Sequence, residues 1–419
     1  MITSKQGLDD FFATRRKLGI KPGLGRLDYL LEKVNHPEKS LPTIHIAGTN
    51  GKGSTLTYLK ETLMASGYTV GTFQSPGLPT IFDHIAINNK IITPVEFIQI
   101  INQLMPIIEQ MDDCDQAPSE YEILMVVTLL YLKEQVDIAV IETCMGGRED
   151  VTNRVEPLLS IITTVAFDHT AFLGDTIEAI ASHKAGIIKD NTPVIVGDLE
   201  ADAFQVVNKE AELKKAPVYL YNKDFWIDEE GIDTFRWHND ETTYRVNVTM
   251  KGRHQMVNAS LAIQALQLLR ANGWNISRSA ILQGIAQAKL ANRMEWISEN
   301  PKIIVDGAHN LQSIRKLVET IKVEADNSNI QILFSAFRDK DIHPMLNELS
   351  HLSNRITITT FDHPRALDKT DVPMSVLYIE HTEQALQQVL VNNHSEDILV
   401  ITGSLHFVDY AKRLVKNIE

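Results

Sequence analysis

The stretch His45-Ile46-Ala47-Gly48-Thr49-Asn50-Gly51-Lys52-Gly53-Ser54 decides the fold of the first part of this 419-residue chain. An apolar strand over 43–47 leads into a glycine-rich turn, and the turn opens a helix over 54–66. Backbone N–H groups at the start of such a helix bind anions, and glycines let the chain approach an anion closely. Lys52 adds a full positive charge. The stretch therefore predicts binding of a nucleotide's phosphates, although Gly53 separates Lys52 from Ser54, unlike the common phosphate-loop spelling.

Composition limits the classes of function. The length predicts two domains, and 44% hydrophobic with 22% charged residues is typical of a globular protein. The net charge of −14 argues against a nucleic-acid partner. Cys114 and Cys144 provide no disulfide framework, which predicts a reducing compartment, the cytoplasm. The N-terminus lacks the apolar segment of a signal peptide, and the longest apolar stretch, 123–132, is too short to cross a membrane.

The order of apolar segments predicts an α/β fold. From residue 43 onward short apolar strands alternate with amphipathic helices, which indicates a doubly wound parallel sheet. Aromatic residues between turns over 225–248 predict a small antiparallel patch. A second series of alternating strands and helices begins near Ile297 and predicts a smaller, Rossmann-like C-terminal domain. We therefore expect an ATP-binding-type domain over 1–293 and a second domain over 294–419.

Two polar residues follow apolar strands of the predicted sheet. Glu142 closes the strand 137–142, and a carboxylate at the carboxyl end of a parallel strand is placed to hold Mg²⁺ beside phosphates. His169 follows a strand expected over 161–166 and should emerge at the same sheet edge. The next helix is expected to begin at an N-cap, Asp175, and it carries Lys184, which composition alone predicts to be an exposed helix lysine.

Two further polar clusters each precede a helix, at 252–259 and at 306–310. Each position is typical of an anion site, but taken alone each is equally typical of helix capping. Together with the other motifs, however, they resemble one family, the folylpolyglutamate synthases and dihydrofolate synthases of the Mur ligase superfamily. The resemblance covers nearly the whole chain, in order. It rests on the segments 19–24, 48–54, 75–76, 142–148, 168–169, 184–189, 254–259, 292–295, 306–310 and 339–341.

The resemblance implies roles for individual residues. It implies that the phosphates of ATP are bound by Asn50, Gly51, Lys52, Gly53 and Ser54. It implies that the ATP site is completed by Asn258, Arg293, Asp306 and His309. It implies magnesium ligands, for two Mg²⁺ ions, at Ser75, Glu142, His169 and Lys184, and it assigns catalytic roles to Lys52, Glu142, His169 and Lys184. Lys184 matches a lysine that reacts with CO₂ to become a carbamate, although nothing in the sequence itself shows this modification.

The implied reaction is ATP-dependent ligation of L-glutamate to a folate or to dihydropteroate through an acyl phosphate, with release of ADP and phosphate. The protein's task in such chemistry is to position anions and neutralise charge. The expected partners are therefore small molecules, and we expect a monomer with neither nucleic-acid nor membrane partners.

Several positions depart from the family pattern. A histidine often follows Ser75-Pro76, but here Gly77 stands there, and Asp83-His84 replaces a usual Glu-Arg pair. Loss of an arginine changes how a carboxylate-rich acceptor is recognised. The choice among tetrahydrofolate, dihydropteroate or both therefore stays open, as do two alternatives: a Mur-type ligase with a non-folate acceptor, and an inactive paralogue that binds nucleotide or folate.

Overall fold

The computed structural model describes the whole chain except residues 20, 22, 326–328, 392–396 and 419, and the side chains of 417 and 418. Ile20 and Pro22 of the motif over 19–24 thus lie outside the described residues. The chain divides into two compact units. The first comprises Met1–Glu229, Phe235–Asn247 and Val257–Ala288; the second comprises Glu230–Thr234, Val248–Met256 and Lys289–Glu419. The domain boundary expected after residue 293 stays a prediction.

Within the described residues the first unit is built on an eight-stranded sheet. Its strands are β1 Thr43–Ala47, β2 Val70–Phe73, β3 Ile85–Ile87, β4 Lys90–Ile91, β5 Ile138–Glu142, β6 Leu159–Ile162, β7 Val194–Val196 and β8 Val218–Leu220. Their order is β4-β3-β2-β5-β1-β6-β7-β8; β3 pairs antiparallel with both β2 and β4, and the other neighbours pair parallel. β1, β5 and β6 are buried throughout, which explains their continuous apolar sequence.

The register fixes where these strands end. Ile46 lies beside Glu142, and Ala47 lies beside Ile162. The carboxyl ends of β5, β1 and β6 therefore meet at one edge of the sheet, and the loops that follow them share that edge. This is the position at which open parallel sheets bind ligands.

Helices cover the sheet of the first unit: α1 Lys5–Arg16, α2 Gly25–Lys33, α3 Lys52–Ala65, α4 Pro94–Asp113, α5 Glu120–Leu132, α6 Thr170–Leu173, α7 Ile177–Ala185, α8 Ala201–Leu213, α9 Arg253–Ala271 and α10 Arg278–Gln287. α9 belongs to this unit from Val257 onward. Several begin at sequence-encoded caps; α4, for example, has a capping box of Thr93 and Glu96 with Pro94 at its first position. The apolar helix α5 is buried on nearly every side, in the main core.

Three antiparallel strands form the small sheet that the aromatic pattern predicted: β9 Phe225–Glu229, β10 Thr234–Asn239 and β11 Thr243–Asn247, in the order β11-β10-β9 among the described strands. Trp237 and Tyr244 stack within it at a ring distance of 5.6 Å, and both are buried. The alternation of buried and exposed residues along β11 is that of a sheet with one covered face.

The second unit contains a six-stranded sheet within its described residues, ordered β12-β13-β17-β14-β15-β16. Its strands are β12 Glu295–Glu299, β13 Lys302–Asp306, β14 Ile330–Phe334, β15 Ile356–Thr359, β16 Leu377–Ile379 and β17 Ile398–Thr402; its helices are α11 Leu311–Glu324, α12 Ile342–Leu349, α13 Thr382–Val391 and α14 Leu405–Ile418. Only β12 runs antiparallel to its neighbour. The predicted fold class, a doubly wound α/β domain with a smaller Rossmann-like one, is confirmed.

Three local predictions were wrong. The strand expected over 161–166 ends at Ile162, because the next two residues bond to a neighbouring loop. Helix α3 begins at Lys52 rather than Ser54. The N-cap of α7 is Thr176, whose hydroxyl accepts a hydrogen bond from Ala179 N, and not Asp175.

No helix among the described residues is long and apolar enough to cross a membrane.

Candidate active site

The turn between β1 and α3 has a backbone that only glycine can adopt at two places. Gly48 and Gly51 have φ values of +155° and +92°. A Cβ atom on Gly48 would lie 1.9 Å from Thr163 Oγ1, and one on Gly51 would lie 2.4 Å from Asn258 Oδ1. Both separations are far below contact distance. The turn is therefore a tight cradle in which glycine is required by conformation and by space.

The cradle ends at the first turn of α3. Gly51 is the N-cap residue, and it makes no side-chain cap hydrogen bond to this helix. Its first bond of helical type runs from Thr55 N to Gly51 O at 2.9 Å. The N–H groups of Lys52, Gly53 and Ser54 precede that bond, as the orphan donors of a helix do, and they carry the positive end of the helix dipole. Such a terminus suits a phosphate group.

Two threonines hold the cradle in shape. Thr163 Oγ1 donates to Asn50 O at 2.6 Å, and Thr164 Oγ1 accepts from Asn50 N at 2.9 Å. Thr49 Oγ1 also bonds the backbone of Ala166, at 3.0 Å and 3.1 Å. The sequence did not predict these hydrogen bonds, because Thr163 and Thr164 were assigned to a strand. The available signal was two adjacent hydroxyls just past a strand that neighbours β1.

Lys52 and Glu142 lie together at this sheet edge. Lys52 Nζ is 3.8 Å from Glu142 Oε1 and donates to Gly48 O at 3.0 Å. Glu142 is 5% exposed, so its carboxylate is shielded from solvent. The Ser75 side chain lies close to the Cys144 thiol, which is near enough to Glu142 and Lys52 to interact with both electrostatically. The structure thus brings three of the predicted residues, Lys52, Glu142 and Ser75, around one edge.

Lys184 is buried, contrary to the expectation from composition. It is 3% exposed on α7. Burial lowers the pKa of Lys184 to about 7, and the positive charge of Lys52 lowers it further, whereas Asp168 and Asp150 oppose the shift. The amine is therefore partly uncharged near neutral pH. A buried lysine of this kind suits chemistry rather than surface solvation.

His169 lies in the loop that follows β6. It follows β6 by seven residues and has a left-handed backbone, with φ of +50°. Its Nε2 is 4.0 Å from Asp168 Oδ2, and its side chain is 37% exposed, whereas Asp168 is buried. From the sequence, His169 was the one residue of this loop expected to bind magnesium and to act in catalysis. The structure adds Asp168, which faces Lys184 electrostatically.

The predicted ATP-site residues are divided between the units. Asn258 lies in the first unit, against Gly51. Arg293, Asp306 and His309 lie in the second. There Asp306 accepts hydrogen bonds from Met294 N and Ala308 N, both at 2.8 Å, and burial raises its pKa against the opposing charge of Arg293.

His309 belongs to the same cluster of the second unit. Its Nδ1 lies 2.9 Å from Gly307 O, and its backbone N–H donates to Ser313 Oγ at 3.1 Å. A Cβ on Gly307 would lie 3.1 Å from Arg293 Nη1. This cluster is a loop after strand β13, so three predicted residues again meet at the carboxyl end of a parallel strand.

A buried polar chain supports the loop after β5. Asp150 accepts from Met145 N at 2.6 Å and from Thr152 Oγ1 at 2.6 Å, and Thr152 Oγ1 lies 2.8 Å from His45 Nε2. Burial lowers the pKa of His45 to about 3, so this imidazole is neutral. Because the Thr152 hydroxyl donates to Asp150, the Nε2 of His45 must carry the proton and donate. The sequence alone gave no indication of this role for Asp150 and Thr152.

The donor set at the first edge fits magnesium. Glu142 and Ser75 offer a carboxylate and a hydroxyl oxygen, the ligand types that Mg²⁺ prefers, beside a turn that suits phosphate. No group of three or more His, Cys, Asp and Glu side chains arranged for a metal occurs among the residues that the structure describes. Oxygens from phosphates complete a magnesium shell in many nucleotide sites, so few protein carboxylates are needed.

Comparison with known proteins defines the class first. Residues 46–266 match the Mur ligase middle domain, and residues 292–405 match the Mur ligase glutamate ligase domain. The phosphate cradle falls in the former match and the Asp306 cluster in the latter. The chain thus belongs to the Mur ligase class.

Individual relatives identify the family within the Mur ligase class. The chain is 37% identical to the dihydrofolate synthase/folylpolyglutamate synthase of Bacillus subtilis (strain 168) over 430 residues. The aligned region covers 99% of this chain and 100% of the relative. Folylpolyglutamate synthase of Mycobacterium tuberculosis, solved with ADP and AMPPCP, matches with a TM-score of 0.90 and 26% identity over 98% of this chain and 97% of that one. The Escherichia coli protein solved with DHPP and ADP matches with a TM-score of 0.88 and 26% identity, over 98% of each chain. The chain belongs to the dihydrofolate synthase/folylpolyglutamate synthase family.

Proposed function

We propose that this chain is an ATP-dependent ligase that forms an amide between L-glutamate and the carboxyl group of a folate or of dihydropteroate. The observation that carries the proposal is the cradle over 48–54: a helix start without a side-chain cap, with Lys52 3.8 Å from the buried Glu142. This arrangement suits the transfer of a phosphoryl group, and the family relationship supplies the class of acceptor.

Ser75, Glu142 and His169 are the residues that we propose to hold magnesium, for which two ions are expected. When bound, Mg²⁺ neutralises charge on the phosphate oxygens and polarises the phosphoryl group. The oxygens of Ser75 and Glu142 fit this metal well. The imidazole of His169 is a less usual donor for it, and this makes His169 the most informative ligand to test.

Lys184 is proposed to supply a further ligand as a carbamate. Its uncharged amine attacks the carbon of CO₂, an N–C bond forms, and a proton is released to solvent, leaving a carboxylate-like group. Burial supports this step because it lowers the pKa of Lys184 to about 7, which raises the fraction of the reactive neutral amine. The carbamate also carries a negative charge that attracts Lys52, whereas a protonated Lys184 repels it.

The chain's own groups account for the steps of ligation. The cradle N–H groups and Lys52 hold the phosphates, so that the acceptor carboxylate oxygen attacks the terminal phosphorus and the bond to ADP breaks. The resulting acyl phosphate has a good leaving group. The amine of glutamate then attacks the carbonyl carbon, the tetrahedral intermediate expels phosphate, and the amine proton is lost. Lys52 neutralises charge as it develops.

Asn258, Arg293, Asp306 and His309 stay proposed ATP-binding residues. Asn258 is supported by its position 2.4 Å from where a Gly51 side chain would begin. For the other three, the support is their clustering at the loop after β13 within the second unit. Action as a monomer in the cytoplasm also stays a proposal.

The experiment that tests the function is phosphate release from MgATP with L-glutamate, offering dihydropteroate and tetrahydrofolate separately. We expect release that requires both glutamate and one of the acceptors, with an equal amount of amide product. Omission of glutamate is the control, because an ATPase would still release phosphate. An absence of turnover with both acceptors would contradict the proposal and favour a non-folate acceptor or an inactive paralogue.

A further inference from the structure

The segment that carries Ser75 is held by a residue outside the predicted site. His84 ends a short 3₁₀ turn, Ile81–His84, and is 7% exposed. Its Nδ1 lies 2.6 Å from Gln74 O, and its Nε2 lies 3.1 Å from Gly77 N. Its own carbonyl accepts from Gln74 N at 3.0 Å. His84 therefore bonds the backbone on both sides of Ser75.

These partners fix the tautomer of the ring. The carbonyl of Gln74 can only accept, so Nδ1 of His84 carries the hydrogen. The N–H of Gly77 can only donate, so Nε2 is the acceptor. Burial of the ring lowers the pKa of His84 to about 4, which keeps it neutral at physiological pH. A protonated ring would set a donor against the Gly77 donor and break the clamp.

Gly77 and His84 form a matched pair. A Cβ on Gly77 would lie 2.4 Å from Cδ2 and 2.7 Å from Cγ of the imidazole. The φ of Gly77 is not among the positive values, so its conformation does not itself require glycine. The ring does. The departures from the family pattern at 77 and 84 are therefore one structural change: an imidazole that enters from residue 84 occupies the space of a side chain at residue 77.

The ring is itself held on two sides. It stacks on Phe73, at 5.6 Å and 18° between planes, and meets Tyr121 edge-on at 5.7 Å. The Ser75 hydroxyl lies close to the Tyr121 phenol and to the Cys144 thiol. The Ser75 side chain thus has two polar neighbours, and His84 bonds the backbone on both sides of it.

The residue before His84 fixes the turn. Asp83 Oδ2 accepts from Thr80 N at 2.9 Å and from Thr80 Oγ1, which closes a capping box. Asp83 and His84, the pair that replaces the family's Glu-Arg, therefore serve the local structure of the Ser75 segment. Their side chains bond within the segment itself.

We propose that His84 is a positioning residue, which acts through Ser75 to aim its hydroxyl at the metal and phosphates, and that Gly77 is its obligatory partner. The proposal rests on the proposed function in one respect, the role of Ser75 as a magnesium ligand. Residues that orient metal ligands are typically worth about 10–100-fold in metal affinity.

Metal binding gives a readout separate from activity. The protein–ADP complex is titrated with Mn²⁺ in place of Mg²⁺, and bound metal is followed by electron paramagnetic resonance. We expect His84→Ala to weaken Mn²⁺ binding about tenfold or more, while ADP affinity without metal and the KM for glutamate stay at wild-type values. His36→Ala is the control, because His36 is a half-buried histidine that bonds Glu38 away from this segment. Wild-type Mn²⁺ affinity in folded His84→Ala would overturn the proposal.

A conservative variant covers the case in which His84→Ala does not fold. Glutamine at 84 places an amide oxygen near the position of Nε2, so His84→Gln should keep the bond from Gly77 N and recover most of the metal affinity. If His84→Gln instead binds Mn²⁺ no better than His84→Ala, or no better than Ser75→Ala when His84→Ala is unfolded, the clamp is not what positions Ser75.

The pairing is tested by a double-mutant cycle. Gly77→Ala should weaken Mn²⁺ binding when His84 is present, because its Cβ collides with the ring, and should have little further effect beside His84→Ala. Equal loss in both backgrounds would refute the pairing. The metal titration also separates the two proposals: absence of glutamate-dependent turnover in the wild type would contradict the ligase function while leaving the metal result of His84→Ala intact.

Discussion

Two loops in this protein have the same topology and different chemistry. In each, a buried parallel strand ends in a polar turn that opens a helix: 48–51 before α3 in the first unit, and 307–310 before α11 in the second. In the first, Gly51 occupies the N-cap and makes no side-chain cap hydrogen bond. In the second, Asn310 Oδ1 accepts from Ser313 N at 2.9 Å, and a capping box is complete.

The difference shows how one fold element is set for two tasks. A side-chain cap satisfies helix N–H donors internally and stabilises the helix by about 1 kcal/mol. Leaving the cap out sacrifices that stabilisation and keeps the donors directed at a ligand. The first loop also lies beside a buried lysine, Lys184, whereas the second is built around the carboxylate of Asp306. Four variants test this contrast.

A large effect on turnover should come from Lys52→Met. The cradle would keep its backbone donors and lose its full charge, so glutamate-dependent phosphate release should fall about 10²–10³-fold, the cost of removing one preorganised stabilising group. Lys60→Met, on the same helix but paired with Asn89 and Glu61, is the matched control. Similar rates for the two variants would mean that the charge of Lys52 is not used.

Lys184→Met should separate function from stability. We expect ligation to be lost while ADP still binds, and the free energy of unfolding at pH 7 to rise by about 2–4 kcal/mol, because a buried amine is replaced by an apolar side chain of similar length. Urea unfolding and an assay of amide product measure the two effects.

The pH dependence of that gain has a definite sign. In CO₂-free buffer, where Lys184 is a free amine rather than a carbamate, its pKa is lowered from 10.5 to about 7 on folding, so between these values the unfolded chain holds one more proton than the folded chain. The free energy of unfolding of the wild type therefore rises with pH across this range. The advantage of Lys184→Met should be full below pH 7 and vanish above about pH 10.5. A gain that grows with pH would contradict the assignment.

Gly51→Ala tests whether space in the cradle matters beyond backbone strain. Gly51 and Gly67 have φ of +92° and +91°, but a Cβ on Gly67 has nothing within 4 Å. Both alanine variants should lose about 1 kcal/mol of stability from left-handed strain. Only Gly51→Ala should also weaken ADP binding, about 10–100-fold, since it displaces the turn and Asn258. Calorimetric titration with ADP measures the affinity of both variants, and equal ADP affinities would show that space at Gly51 does not matter.

The smallest effect should come from Asn310→Ala. Loss of the cap on α11 should lower the free energy of unfolding by about 1 kcal/mol. Because the donors at this helix start already bond within the chain, the affinity for ADP should stay at the wild-type value. Thermal unfolding and ADP titration check both parts, and a large loss of ADP affinity would show that the second loop also works as a phosphate site.

Much of the fold could be predicted because apolar strands in a parallel sheet are short and continuous. Strand β1 has the predicted bounds, Thr43–Ala47. The hairpin of β3 and β4 was missed because five strand residues carry too little pattern to distinguish them from a loop. Strand β6 ends early for a tertiary reason, the bonds from Thr163 and Thr164 to Asn50, which no local pattern encodes.

The site could be predicted where topology alone dictates position. Residues after β1 and β5 had to meet at one edge, and Lys52 and Glu142 do. Burial could not be predicted: the helical pattern of α7 gave no reason to expect Lys184 inside. The role of His84 could not be predicted either, because the sequence showed a missing arginine but not an imidazole ring placed against Gly77.

The most direct test of ligation through the phosphate cradle is the fate of oxygen in the acceptor carboxylate. The acceptor that supports turnover is labelled with ¹⁸O in that carboxylate and incubated with MgATP and L-glutamate, and the released phosphate is examined by mass spectrometry. If an acyl phosphate forms, one labelled oxygen enters each phosphate, in step with amide product. Unlabelled phosphate released alongside amide product would contradict the account.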